Sequence, residues 1–312
     1  MNIFPIVVNQ SISFAVLILI GIIAVKTHIL NDKTLPIISQ FVMKLALPLL
    51  IFTNTLNGAT CEQLLTDLPM LVAVAALFFV LAIVGHCLAR VFRLPREQSR
   101  LLQALTMFGN VGFIGIPIVS ALYPEHGMLY IALYTIVDQF LLWTVGVQLT
   151  SPLRKDGPSL MSNLRSMVNP ASVGVILGVV GILLGVHLPS MIDTPLTKVG
   201  ASASPLALIY LGGLFCYCDI PRFARKAEFY VLALIKMILL PLVFYCILRC
   251  CFADLELVTA LTMLAALPCM SSIAMFSQAY GTDHEYTAGA IMMTTIFSIF
   301  TLPLVSYLLS LL

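Results

Sequence analysis

Charge is what this chain has little of. Of its 312 residues only 10% are Asp, Glu, Lys or Arg, 60% are hydrophobic and the mean hydropathy is +1.05. Soluble globular proteins carry about 25% charged residues. That balance excludes a soluble domain and points to a polytopic membrane protein. The net charge of +2 carries no nucleic-acid signal, because the basic residues sit in loops between apolar runs. Histidine is limited to five, and none has His or Cys partners at zinc-like spacing. The eight cysteines include Cys216-x-Cys218 and the adjacent Cys250–Cys251. Most lie in or beside apolar runs, where a free thiol packs as a small hydrophobe. No metal, cofactor or disulfide is expected. The first apolar run has no basic residue before it and no small-residue cleavage site behind it, so it reads as a retained span and not a signal peptide.

A bilayer core takes about 20 apolar residues per helix. Runs of that length are Ile6–Val25, Pro36–Leu56, Leu68–Val91, Leu101–Tyr123, Met128–Thr150, Pro170–Leu188, Val199–Tyr217, Phe229–Cys250, Leu257–Ala279 and Tyr286–Leu311. Their alternation sorts the 16 basic residues. Lys26, Lys33, those of Arg90–Arg100 and Arg154–Arg165, and Arg222, Arg225 and Lys226 share the side of the first loop. Only Lys198 and Arg249 lie on the other side, with Lys44 and Lys236 inside spans. Positive charge marks the cytoplasmic face, so both termini are expected outside it, in a multi-pass plasma (inner) membrane protein.

The chain also repeats itself. LLQALTM at Leu101–Met107 answers LVTALTM at Leu257–Met263, an offset of 156. Ala46-Leu-Pro48-Leu49 answers Ala203-Ser-Pro205-Leu206, and Ser120 and Tyr123 answer Ser277 and Tyr280, each at 157. Two halves of five spans, 1–156 and 157–312, must sit in opposite orientations because five is odd. Inverted repeats with paired broken helices are a plan of secondary transporters.

The break is legible in Met107–Ala121, MFGNVGFIGIPIVSA. Gly109, Gly112, Gly115, Pro117 and Asn110 crowd its middle, although Gly costs about 1 and Pro about 3 kcal/mol relative to Ala inside a helix. Broken backbone is tolerated at membrane depth where it lines a cavity or is covered by protein. Two half-helices are expected, Leu101–Gly109 and Pro117–Tyr123, joined by unwound chain. Span nine should break likewise around Pro268, which answers Gly112, with Ser271 and Ser272 just beyond; a simple proline kink is the alternative. Asp138, beside Gln139 in span five, is either a support or proton-relay group near the break or a partner for a lysine. Lys236 lies too deep in span eight to snorkel easily, whereas Lys44 lies nearer the cytoplasmic end and can.

Asn110-Val-Gly-Phe-Ile-Gly-Ile-Pro-Ile-Val-Ser-Ala-Leu-Tyr123 resembles the fourth-span crossover of the auxin efflux carrier family, which includes the PIN-type exporters. Pro48-Leu-Leu, Lys236-x4-Leu-Pro241, Ala266-Leu-Pro268 and Leu302-Pro303 are similar at the expected places, so the resemblance covers essentially the whole chain. It implies ten spans, outward termini, a crossing of spans four and nine, and a scaffold of spans one, two, six and seven beside a mobile transport domain. Relatives of this length carry small carboxylates such as malonate or malate, and plant members carry auxin. This sequence departs in two ways. Its linker, residues 151–169, is short, with Leu160, Met161, Leu164, Met167 and Val168 on one face beside Arg165, as in an interfacial helix. The offset of 156 also puts Ala266, not an amide, opposite Asn110.

Half-helix N-termini carry unpaired N–H groups and about half a positive charge each. An all-α carrier of small organic anions, held at Asn110, Gly112, Gly115, Pro117, Pro268, Ser271 and Ser272 and supported by Asp138, Gln139 and Lys236, is therefore expected, with alternating access and no catalysis. Its partners would be the anion, the lipid bilayer and a second copy in a homodimer. A sodium-coupled carrier of the bile-acid symporter type expects more intramembrane carboxylates and amides than this chain has. An intramembrane enzyme using Asp138 lacks a second positioned carboxylate, a nucleophile–base pair or a metal motif, and a receptor would leave the paired breaks without purpose.

Overall fold

The computed structural model describes residues 3–58, 60, 62–63, 68–152, 170–217 and 220–312. The amphipathic face of the linker and Cys218 lie outside these. Among the described residues the chain is helical, without strands. In order come α1 (Phe4–Lys26), α2 (Leu35–Gly58), α3 (Leu68–Val91), α4 (Arg96–Met107), α5 (Val111–Leu122), α6 (Gly127–Thr150) and α7 (Pro170–Leu183). There follow α8 (Ser190–Phe215), the short α9 (Ile220–Ala224), α10 (Ala227–Cys251), α11 (Leu255–Ala265), α12 (Ser271–Tyr280) and α13 (His284–Leu311).

Among the described residues seven helices, α1, α2, α3, α6, α8, α10 and α13, are long and apolar enough to cross a membrane. The other three predicted spans are not continuous helices of that length. Leu101–Tyr123 and Leu257–Ala279 are each split in two by main-chain breaks. Pro170–Leu188 ends as α-helix after 14 residues, about 21 Å at 1.5 Å per residue, because Gly185 turns the chain at a φ of +64°.

Small residues set the helix crossings, as expected where lipid removes the hydrophobic drive between helices. A Cβ on Gly21 of α1 would lie 2.0 Å from the Ile209 carbonyl, and one on Gly212 of α8 would lie 2.0 Å from that of Ile18. Gly174 of α7 and Gly200 of α8 bring their helices onto the backbone of α2. Helices α1, α2, α7 and α8 thus form one packed group, with α1 also lying along α13. In the rest, α4 packs on α3, α6, α12 and α13, and beside its end the Phe78 ring lies tilted against those of Phe108 and Tyr134 at 5.7 and 5.8 Å.

Lys44 sits in a wide π-type turn of α2, Val42–Ala46, with its side chain exposed on the outside of the bundle.

Candidate functional site

The two breaks meet. Gly109 and Cys269 pair as an isolated antiparallel bridge. Its hydrogen bonds run from Asn110 N–H to Pro268 O at 2.9 Å and from Met270 N–H to Phe108 O at 3.0 Å. Each break thereby satisfies buried main-chain groups of the other, which no lipid could do. Beside this pair the Asn110 amide donates from Nδ2 to Ser271 Oγ at 3.0 Å, both residues being buried.

The breaks are placed differently from the expectation. Helix α4 stops at Met107 and helical backbone resumes at Val111, so Gly112, Gly115 and Pro117 belong to the second half-helix. The reason is local. Val111–Gly115 is a π-type turn, in which Gly115 N–H bonds to Asn110 O at 3.1 Å. Pro117 has no N–H, so the Phe113 carbonyl four residues before it loses its helical donor. Ser204 Oγ of α8 donates to that carbonyl instead. In span nine the break covers 266–270, longer than in span four, and α12 begins at Ser271. The residue in Asn110's place, immediately before the second half-helix, is Met270 and not Ala266.

Lys236 explains how α4 can end in the core. Its side chain is 1% exposed and donates to the carbonyls of Leu105 (3.0 Å), Thr106 (2.7 Å) and Phe108 (3.0 Å). An ammonium has three donors, and the end of a helix offers unpaired carbonyls at the negative end of its dipole. Asp138 and Lys236 do not form an ion pair; those among the described residues are His126–Glu256, Arg222–Glu285 and Lys226–Glu228. Asp138 Oδ2 instead accepts from Gln139 Nε2 at 2.9 Å, and Gln139 Oε1 accepts from Trp143 Nε1 at 3.1 Å. Asp138 Oδ1 has no hydrogen-bond partner.

Beside the crossing lies a narrow, largely enclosed cavity with free room for about one water. Helix α2 contributes Leu47, Ile51, Asn54 and Thr55, α5 contributes Val111, Gly112 and Ile116, and α6 contributes Ala132, Thr135 and Gln139; Met270 completes it. Gly112 faces Leu47 there, whereas Gly115 packs against Leu264 of α11 and Leu267 of the other break. Three polar atoms on the wall, Asn54 Nδ2, Thr55 Oγ1 and Thr135 Oγ1, are buried without partners, as is Ser272 Oγ. Such atoms cost about 1–3 kcal/mol each. The sequence reading missed Asn54, Thr55 and Thr135. The available signal was Thr135 one helical turn before Gln139, hence on the same face. Among the described residues no group of three or more His, Cys, Asp and Glu is placed to hold a metal ion.

The sequence matches the family described as Membrane transport protein twice, over residues 6–159 and 158–306. It is similar to an uncharacterized transporter of Methanothermobacter thermautotrophicus, 25% identical over 96% of this chain and 97% of the relative. It is also similar to a Rhizobium meliloti protein named "Putative malonate transporter", 22% identical over 87% of this chain and 86% of the relative. An uncharacterized transporter of Methanocaldococcus jannaschii is 24% identical over 63% of this chain and 65% of the relative, so the chain spans under two thirds of that protein.

Proposed function

Because the chain belongs to the membrane transport protein family, we propose that it is a secondary carrier of small organic anions, mono- or dicarboxylates of a few carbons, working by alternating access. The observation that carries this reading is the main-chain pairing of the two breaks, Asn110 to Pro268 and Met270 to Phe108. It supports a site where the N-terminal ends of α5 and α12 converge, each with unpaired N–H groups and about half a positive charge. An anion is the ligand such a place favours. Asn110 orients the carboxylate, Ser271 and Ser272 add hydroxyls, and Gly112, Gly115, Pro117 and Pro268 give the backbone its shape. The unpartnered groups of Asn54, Thr55 and Thr135 face the same space and serve the same ligand. Asp138, Gln139 and Lys236 support the crossing and couple it to the driving gradient. The name of the Rhizobium relative, which says malonate, points to the same substrate class.

The plan that goes with this function has ten spans in two inverted halves, 1–156 and 157–312, with both termini outside the cytoplasm. The double family match supports it. So do paired details: Thr106 and Thr262 are both fully buried and each donates to the carbonyl four residues back. Gln98 bonds Asp283 at 2.9 Å, while Tyr130 bonds Asp254 at 2.9 Å and His126 meets Glu256 at 3.2 Å. Gln98 answers Asp254 and His126 answers Asp283 at offsets of 156 and 157, so these contacts fall in corresponding places of the two halves, although Asp254 and His126 bond Tyr130 and Glu256 and not each other. Helices α1, α2, α7 and α8 are the scaffold, and the remainder carries the substrate, in a homodimer at the plasma membrane. The test is uptake and efflux of a carboxylate panel by the purified protein in lipid vesicles. Carboxylates should be carried and their amides should not compete; preference for neutral or cationic solutes would overturn the reading.

A further inference from the structure

Two cavities lie one helical turn apart between α2 and α6, and what separates them is apolar. The narrow one reaches Thr55 on α2 and Ala132 on α6. The second, about 470 Å³, opens at the end of the molecule away from Arg93 and Arg96. Leu56, Asn57, Glu125, His126, Leu129 and His187 are among its lining. Between the two, Leu129 and Ala132 of α6 and Ile182 of α7 make a small apolar cluster separate from the main core. Beside it the last residue of α2, Gly58, lies directly on α6. A Cβ there would stand 2.6 Å from the Met128 carbonyl and 3.0 Å from the Ala132 Cβ.

We propose that Gly58, Leu129, Ala132 and Ile182 form an outer gate, one apolar layer thick, through which an organic anion passes between the open vestibule and the narrow cavity. What passes rests on the carrier reading; the gate itself rests on the two cavities and the layer between them. Polar side chains border both spaces, and the inner one, with room for about one water, has to widen before it holds an anion. The apolar layer between them imposes a desolvation penalty on a charged solute. Its members divide between the two packed groups, Gly58 and Ile182 on α2 and α7, Leu129 and Ala132 on α6. A displacement of one group against the other therefore opens it without breaking any element. Glycine at 58 lets the closed state form, because any side chain there meets the backbone of α6.

The experiment reads accessibility and needs no transport. In a protein otherwise free of cysteine, in sealed vesicles, Thr135→Cys reports the narrow cavity and Glu125→Cys the vestibule, each to an impermeant thiol reagent. Adding Gly58→Ala or Leu129→Ala should speed labelling of Thr135→Cys about tenfold, the change that about 1.4 kcal/mol makes in an equilibrium. Labelling of Glu125→Cys should not change. If Gly58→Ala fails to insert, Leu129→Ala decides. A Thr135→Cys rate unmoved in the inserted variants overturns the gate. Cross-linking Leu129→Cys to Ile182→Cys should stop malonate transport and reduction should restore it; transport persisting through the cross-link also overturns the gate. Gated labelling in a protein that carries no carboxylate would sink the carrier reading and leave the gate standing.

Discussion

Asn110 and Ser271, 161 residues apart in the chain, share a hydrogen bond of 3.0 Å at the point where two broken helices cross. Each stands at the start of a second half-helix, beside the main-chain bonds of Asn110 to Pro268 and Met270 to Phe108 that join the two breaks. The bond joins two side chains assigned to the anion in the proposed carrier, so a carboxylate at Asn110 would have to compete with Ser271 for its amide.

That competition makes a prediction for each partner. Asn110→Ala should leave the protein inserted but cut carboxylate transport about tenfold or more, since a hydrogen bond to a charged group is worth about 1.5–3 kcal/mol. Ser271→Ala should weaken binding less, because it also frees the amide for the ligand. Binding measured on purified protein checks the order; an Asn110→Ala protein that binds like the unchanged one contradicts the site.

Lys236 should act on stability before it acts on transport. Lys236→Met removes its bonds to the carbonyls of Leu105, Thr106 and Phe108, of which only Phe108 O keeps another donor, Met270 N–H. Each buried group left without a partner costs about 1–3 kcal/mol. The variant should melt well below the unchanged protein in detergent, and Lys236→Arg should not restore it because a planar fork cannot reproduce three converging ammonium bonds. Equal melting temperatures for Lys236→Met and the unchanged protein would remove the capping role.

The sign of the substrate is tested at Gly112 and not at Gly115. A Cβ at Gly112 meets only the Leu47 side chain at 3.1 Å, whereas one at Gly115 meets Leu267 at 2.8 Å and Leu264 at 2.9 Å. Gly112→Asp should therefore insert normally and abolish carboxylate binding, with Gly112→Asn retaining more of it. Gly115→Asp should instead disturb the crossing itself. Similar binding by the Asp and Asn variants at 112 would mean that charge does not govern the site.

In the proposed carrier, coupling to a proton gradient is tested at Asp138. Its Oδ1 is buried without a partner, and Lys236 is occupied elsewhere. Asp138→Asn should abolish accumulation driven by a pH gradient while leaving exchange of substrate for substrate. The double variant with Lys236→Met should not recover accumulation, because the two side chains are not an ion pair. Recovery would show that Asp138 serves only to balance the lysine.

The sequence by itself determined that the chain is a membrane protein and which two spans carry helix breakers, but not the residues at which they break. Sparse charge, long apolar runs and breakers gathered at Gly109–Pro117 and Pro268 follow from local chemistry: apolar area, helix propensity and a missing N–H. The match of LLQALTM to LVTALTM likewise needed only counting. Tertiary structure decided the rest. Where α5 resumes depends on Ser204, which takes the Phe113 carbonyl that Pro117 releases, from a helix some ninety positions away. That Lys236 caps α4 and leaves Asp138 alone depends on which carbonyls the end of α4 presents to α10. Asn54 and Thr135 look ordinary within apolar runs, and they matter only because α2 and α6 turn them into one cavity. Local propensity can say that a backbone group has lost its partner; only the packed fold supplies the group that replaces it.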